Sequence, residues 1–442
     1  MHQTCQNCGW SAVWPSGRIG GPVTTARPIT LALLGTGSRG HTFSSFAQRY
    51  PDRACVVAVA DPRIDRRDAL ADQLGVAADK RFDDWRDLAA QARLADAVIV
   101  TTPDREHVGP ACRFAELGYH VLLEKPIAPT RAGCNEVIDA VEKAGVILAV
   151  CHVMRYTAYT DRVKTILAAG RLGQLVGVEH LEPVGWWHFA HSFVRGNWRS
   201  SDQAGPSILT KCCHDLDWLR YIVGRPAVRV SSRGGLHHFN ADSRPAGAAD
   251  RCLDCAVEPD CPYSAPRLYL GCLGDPERER WPLSVVTTDL TEQGVRRALR
   301  DGQYGRCVYA CDNDVADHQV VTIEFEGGVT ATLTMSAFTP VDRRRTRIMG
   351  TRGFLEGDGK RLTLTDFVSR EVESFDVVDA GADAADGHDG GDFGVMGAFV
   401  DAVSAGDWSL VRSGPRDSLE SHLMAFAAER SRLTGLPITV WD

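Results

Sequence analysis

No apolar run in this 442-residue chain approaches the roughly 18 residues that a membrane-crossing helix needs, so no membrane partner is expected. Positive charge is scarce too: 49 lysines and arginines face 57 aspartates and glutamates, a net charge of −8. A nucleic-acid binder would carry a basic stripe, and that class is excluded. Internal repeats are lacking, and the N-terminus has no signal-peptide pattern. The 14 cysteines sit in a long chain that is 44% hydrophobic, so they are expected to be reduced thiols in a cytoplasm, not the disulfides of a small secreted scaffold. Such a composition supports a globular protein of two or three domains whose partners are small molecules and other copies of itself.

What is present is organised around residues 29–61. Ile29, Leu31, Leu33 and Leu34 make a short apolar run of buried-strand type, followed by Gly35-Thr36-Gly37-Ser38-Arg39-Gly40 and a helical pattern through Phe43, Phe46 and Ala47. This is GxGxxG between a strand and a helix. The first glycine permits a tight turn, the second lets backbone approach a pyrophosphate, and the third lets helix pack on strand. The helix start, with Ser38 and Arg39, offers free N–H groups to the phosphates. A second apolar run from Cys55 to Ala60 ends at Asp61, about 20 residues on, where a carboxylate accepts hydrogen bonds from the adenosine ribose and repels a 2′-phosphate. NAD is therefore expected over NADP.

Strands and helices keep alternating after Asp61. The strand Ala97 to Val100 ends in Thr101-Thr102-Pro103, Glu106-His107 opens a helix to Leu117, and the strand Tyr119 to Leu123 ends in Glu124-Lys125-Pro126. Ligands bind outside the carboxyl ends of such strands, which places Thr101, Pro103, His107, Glu124 and Lys125 at the cofactor. A helix from Arg131 to Lys143 and a strand from Val146 to Val150 complete a doubly wound domain over residues 27–150. Residues 1–26 hold Cys5 and Cys8 in a CxxC spacing without apolar periodicity, and read as a disordered tail.

The glycine turn, Thr101-Thr102-Pro103 with His107, and Glu124-Lys125-Pro126 together resemble the Gfo/Idh/MocA family of sugar and inositol oxidoreductases. The likeness runs to Asp217 and resumes at Asp317. It implies an α/β fold with an N-terminal Rossmann domain and, over residues 151–442, a C-terminal α/β domain built on a large, mainly antiparallel sheet. The outer face of that sheet is expected to mediate dimer or tetramer contacts. The resemblance also implies that Lys125 lies beside the reacting hydroxyl and the nicotinamide, and that His214, on a helix from Ile208 to Val223, is an acid/base group trailed by Asp217. The family's aspartate one turn before that histidine is replaced by Thr210, with Lys211 beside it. The histidine thereby loses the neighbouring anion that would orient it and support its basicity.

Residues 186–199 read as a loop in which Trp186, Trp187, His188, His191, Arg195, Asn197, Trp198 and Arg199 crowd together. Sugars present an apolar ring face and a rim of hydroxyls, which calls for aromatic platforms beside polar groups. With Arg155, Tyr156 and Lys211, the residues His188, His191, Arg195, Asn197, Trp198 and Arg199 are the candidate substrate contacts; a buried loop with structural histidines is the alternative. The HxxH spacing of His188 and His191 lacks an acidic third ligand and is weak as a metal pattern. His318 and His388 are further histidines within reach of a pocket from the C-terminal half.

Between about residues 233 and 312 the chain reads as an insertion with little core of its own. Cys252, Cys255 and Cys261, joined by Cys307 or Cys311, match a structural zinc pattern, with an iron–sulfur cluster as the lesser alternative. The function expected is NAD-dependent oxidation of a secondary hydroxyl on a pyranose sugar or glycoside, with Lys125 and His214 handling the proton. Two alternatives stand beside it. One is a redox-assisted glycosidase working by oxidation, elimination, water addition and reduction, suited to an anionic sugar; the other is a non-catalytic NAD or sugar sensor.

Overall fold

The computed structural model describes residues 27–341, 343–377 and 390–441; the tail with Cys5 and Cys8, and His388, lie outside them. Strands β1 (Ile29–Leu34), β2 (Ala54–Ala60), β3 (Arg81–Phe82), β4 (Ala97–Val100), β5 (His120–Leu123) and β6 (Leu148–Val150) form one sheet in the order β3-β2-β1-β4-β5-β6. Every pairing in it is parallel. Helices cover both faces, which is why β4 and β5 are nearly continuous apolar runs and not alternating ones. The strand order reverses between β1 and β4, and that crevice is where such sheets bind ligands.

The second sheet has nine strands: β7 (Leu175–Pro183), β8 (Ala227–Gly235), β9 (His318–Phe325), β10 (Thr330–Ser336), β11 (Arg345–Gly350), β12 (Gly353–Gly357), β13 (Arg361–Asp366), β14 (Val372–Asp376) and β15 (Ile438–Thr439). Its order is β14-β13-β12-β11-β7-β10-β9-β8-β15. The β7–β10 pair is parallel and the others are antiparallel. One face is buried, so β9 alternates Gln319, Val321, Ile323 and Phe325 inward with exposed residues between them. The helices Cys213–Val223 and Pro415–Thr434 pack together over the buried face. Among the described residues no helix is long and apolar enough to cross a membrane.

Three expectations need correction. The helix expected from Ile208 to Val223 is two pieces, Ser207–Thr210 and Cys213–Val223, interrupted at Lys211 and Cys212, so His214 lies at the start of the second. Residues 186–195 are not a loop: the turn Trp186–Phe189 runs into a wide helical turn, Ala190–Arg195, because Phe189, Ala190, Phe193 and Val194 form an apolar set that packs inward, and only 196–199 remain irregular. The insertion has its own core, in which Tyr269, Leu283, Val295 and Leu299 pack around the helix Glu292–Asp301.

Candidate active site

The glycine turn is shaped by contact. Gly35 has φ +91°, and a Cβ there would lie 2.5 Å from the Thr101 carbonyl oxygen; at Gly40 it would lie 2.2 Å from the Gly35 carbonyl oxygen. Gly37 differs, for a Cβ there would meet only Arg63 Nη2 at 3.9 Å. That position opens on space, and no side chain caps the helix start behind it. A cradle of this form, with unpaired N–H groups at a helix N-terminus, fits a dinucleotide pyrophosphate. Asp61 is buried at the end of β2, its Oδ2 accepting from Thr36 N at 2.8 Å. The sequence reading missed Arg63, which donates to the same carboxylate from its backbone at 2.9 Å and its guanidinium at 3.1 and 3.0 Å. Burial alone would raise the Asp61 pKa; the Arg63 and Thr36 bonds outweigh it and hold it at about 2.

Several expected cofactor residues turn out to brace the site. Thr101 Oγ1 donates to the carbonyls of Leu34 and Gly35 at 2.9 and 2.8 Å. The His107 ring nitrogens lie 2.7 Å from the Pro126 carbonyl oxygen and 2.9 Å from that of Thr102, tying two strand-end loops together, while the Pro103 carbonyl accepts from Glu106 N. Arg39 is clamped between Glu124 and Asp392, the latter at 2.6 Å from the helix Gly391–Ala405. Asp392, 353 residues along the chain from Arg39, carries no local signal of that role.

Lys125 reaches out of the strand end to donate from Nζ to the Thr210 carbonyl at 2.8 Å. Where the resembling family places a carboxylate, this chain offers a backbone oxygen of the same residue. The Thr210 hydroxyl is turned away, donating to the Pro206 carbonyl at 3.3 Å. His214 is buried four residues on, its ring edge-on to His152 at 6.1 Å. His152 is fully buried, neither ring nitrogen has a hydrogen-bond partner, and its Nε2 lies 3.6 Å from Asp217 Oδ1. His422 backs this cluster: Nε2 accepts from Ile127 N at 2.9 Å, so Nδ1 carries the proton donated to the Ser418 carbonyl at 2.6 Å. That bond fixes the backbone just after Lys125-Pro126.

The candidate substrate contacts divide. Lys211 Nζ sits 3.2 Å from Glu182, whose other oxygen meets Arg344 at 2.8 Å. Half-buried His188 is pushed well below its usual range by burial, then by the charges of Lys211, His191 and Lys125, which puts it among the site's cations. Trp281 from the insertion packs against His188 at 4.9 Å and Trp187 at 5.4 Å. Trp198 donates to Asp104, a carboxyl raised by burial against the pull of His107 and Lys125. Asn197 is exposed. The other expected contacts are committed elsewhere. Arg155 pairs bidentately with Asp217, both bonds at 2.7 Å; Tyr156 Oη accepts from Arg412 N at 2.8 Å; and His191 meets Tyr269 Oη at 2.8 Å. Arg195 donates to the carbonyls of Arg306 and Tyr263, each at 2.7 Å, and Arg199 donates to Asp312. A buried cation is satisfied by whatever partner folding brings to it, which local composition does not reveal.

The profile of the oxidoreductase family with an NAD-binding Rossmann fold matches residues 29–152, and that of its C-terminal α/β domain matches residues 164–390. The chain belongs to the Gfo/Idh/MocA oxidoreductase family. Within it, the chain is 25% identical over 207 residues to the 2,7-anhydro-N-acetylneuraminate hydratase of Escherichia coli, covering 47% of this chain and 53% of that one. It is 27% identical over 212 residues to the D-glucoside 3-dehydrogenase of Escherichia coli, covering 46% and 57%. The chain spans between about half and three-fifths of the length of the curated relatives it matches. A structure of levoglucosan dehydrogenase with NADH and levoglucosan superimposes with a TM-score of 0.67 at 16% identity, over 94% of this chain and 100% of that one, and shares its fold.

The zinc expectation finds no support. Among the described residues no group of three or more His, Cys, Asp or Glu side chains is placed to hold a metal ion. Cys252, Cys255, Cys261 and Cys307 nevertheless line one cavity.

Proposed function

We propose that this Gfo/Idh/MocA protein oxidises a secondary hydroxyl of a pyranose sugar or glycoside with NAD. The observation that carries the reading is the Lys125–Thr210 bond, which sets an ammonium at the open end of the parallel sheet just ahead of buried His214. One Lys125 N–H is used on Thr210, leaving two for the substrate oxygen, where the positive charge favours the developing alkoxide. His214 takes the hydroxyl proton. Bound NAD supplies the hydride acceptor, and the Gly37 opening and Asp61 hold its two ends. Trp187 and Trp281 offer flat faces to the sugar ring, with Lys211 and His188 at its hydroxyls.

A second reading rests on His188. It supplies an additional neutral imidazole beside Lys125 and Lys211, the equipment of a redox-neutral sequence that eliminates and adds groups next to a transient ketone. Purified protein supplied with NAD and a panel of glycosides separates these outcomes. Stoichiometric NADH supports oxidation, and released aglycone without net NADH supports the neutral cycle. Neither product, with nucleotide bound, would make the protein a sensor. A reducing, cytoplasmic setting is the expectation from a long, 44% hydrophobic chain that does not need disulfides to build a core. The open face of the nine-stranded sheet, which exposes Glu179, Arg347 and Arg361, is the surface through which we expect a dimer or tetramer, to be checked by light scattering.

A further inference from the structure

His152 stands just past the carboxyl end of β6, on the side of the parallel sheet where ligands bind. Its N–H donates to the Val150 carbonyl at 2.6 Å in a tight turn that ends the strand. The side chain is 0% exposed, and among the described residues neither ring nitrogen has a hydrogen-bond partner. A neutral imidazole carries one donor and one acceptor, and leaving both unmade in the interior is unfavourable. Phenylalanine would fill the same space without that penalty, so the two nitrogens point to a use in the working site.

The surroundings narrow that use. The rings of His214 and His422 stand edge-on to His152 at 6.1 and 5.7 Å, and Asp217 Oδ1 lies 3.6 Å from its Nε2. His422 is committed on both nitrogens, to Ile127 N and to the Ser418 carbonyl. Asp217 takes Arg155 in a bidentate pair, but each carboxylate oxygen has a second acceptor position. Burial lifts the Asp217 carboxyl against the pull of Arg155, which makes it the stronger acceptor. A closure of about 0.5 Å would bring Nε2–H into hydrogen-bond range of Oδ1. Nδ1 is then left as an acceptor, and His214 is the neighbouring ring able to donate to it.

His214 needs such a link. On taking the hydroxyl proton it becomes a buried cation, while the other carboxylates near it are engaged: Asp215 by His180 and Arg344, Glu182 by Lys211 and Arg344, and Glu124 by Arg39. Thr210, one turn earlier, has only a hydroxyl, which donates to the Pro206 carbonyl. We propose that His152 is a positioning residue that couples His214 to Asp217, so that a neutral imidazole carries the pull of a carboxylate to the base. The role rests on the oxidation proposed above. The hydroxyl proton stops on His214, His152 keeps its own single proton on Nε2, and Asp217 stays ionised against Arg155, so no net charge moves along the chain.

The test compares wild type with His152→Phe, which removes both nitrogens and keeps a ring, and with His152→Gln, whose amide can still donate to Asp217 and accept from His214. With NAD and a glycoside that wild type oxidises, His152→Phe should lower kcat by about 10- to 100-fold, the worth of one hydrogen bond to a charged group, while KM and NADH affinity stay within about twofold. His152→Gln should recover most of the loss. Nitrogen-15 NMR of the histidines in NAD-bound protein gives a readout that needs no turnover, the His214 signals being identified by their absence in His214→Gln. Around the two rings Lys125 and Arg155 act as cations, Lys211 is matched by Glu182 and Asp215 by Arg344, and His422 is held neutral by burial. Losing the link to Asp217 disfavours protonated His214, so its titration midpoint should move to lower pH by about one unit in His152→Phe and by less in His152→Gln. Urea unfolding shows whether each variant is folded; if phenylalanine is not accommodated, His152→Leu takes its place. A wild type without turnover would end the oxidation reading alone, while a shifted midpoint would still keep the His152 link. An unmoved midpoint overturns the proposal, and so does an active wild type whose His152→Phe variant stays within about threefold in kcat.

Discussion

Replacing Asp61 by asparagine removes one negative charge and almost no volume from the adenosine end of the cradle. A carboxylate has about four acceptor positions. Here Thr36 N and Arg63 N fill two, and the Arg63 guanidinium fills the others. Holding the group at about 2 against an ordinary 3.8 corresponds to about 2 kcal/mol of stability at neutral pH. Because the folded pKa lies below the unfolded one, that stability is present above pH 3.8 and is lost as the pH falls toward 2. Urea unfolding should therefore show Asp61→Asn weaker than wild type by about 2 kcal/mol at pH 7, with the gap narrowing by pH 3. Nucleotide binding should change as well. The Arg63 side chain is 50% exposed and can swing aside for a ribose diol. Losing the charged acceptor removes about 1.5–3 kcal/mol, roughly 10- to 100-fold in NAD affinity. The released Arg63 would favour a 2′-phosphate, so NADP should weaken less. Titration of both nucleotides decides the matter: wild type binding NADP as tightly as NAD, or a variant within about twofold of wild type for NAD, refutes the reasoning.

Lys125→Ala and His214→Ala should each lower kcat by about 10²- to 10⁴-fold while NADH still binds; turnover within about threefold of wild type for both would place the chemistry elsewhere. Thr210→Asp should not raise kcat, since the Thr210 carbonyl already holds Lys125 and its side chain points to Pro206; a gain above about tenfold would show that the missing carboxylate limits the reaction. Asp217→Asn strands the buried Arg155 guanidinium, and a loss of about 3–5 kcal/mol in urea unfolding is expected, with a loss under about 1 kcal/mol contradicting it. Burial, joined by Arg195 at His191 and by His152 at His422, holds both rings at about 3. The unfolded chain takes up those protons near pH 6.5, so stability should fall on acidification below that point by up to about 1.4 kcal/mol per pH unit for each ring. A urea midpoint flat from pH 7 to 5 would contradict it.

The nucleotide-binding half was legible in sequence because its signals are local. A glycine turn works through its own φ angles and the Cβ atoms it lacks, and a strand buried on both faces must be apolar throughout; Gly35, Gly37 and Gly40 therefore form the tight turn that follows the first strand, with Asp61 bonded to Thr36 beside it. Lys125 at a strand end and His214 on a helix were legible through family resemblance, a pattern of identities and not a physical derivation. The polar segment from His188 to Arg199 shows where that reasoning stops. Composition marks it as rich in hydrogen-bonding groups, yet whether a side chain faces a pocket or a buried carbonyl depends on partners 57 to 111 residues away, such as Cys252 and Arg306 for Arg195. The same holds for Arg155 with Asp217, Arg39 with Asp392, and the four thiols around one cavity. By itself the sequence determined which segments are strands and helices of a dinucleotide fold, because periodicity and glycine geometry act over a few residues. Only the tertiary structure decided which charges are spent inside the protein and which remain for a ligand, because desolvation forces each buried charge to find its partner wherever the fold supplies one.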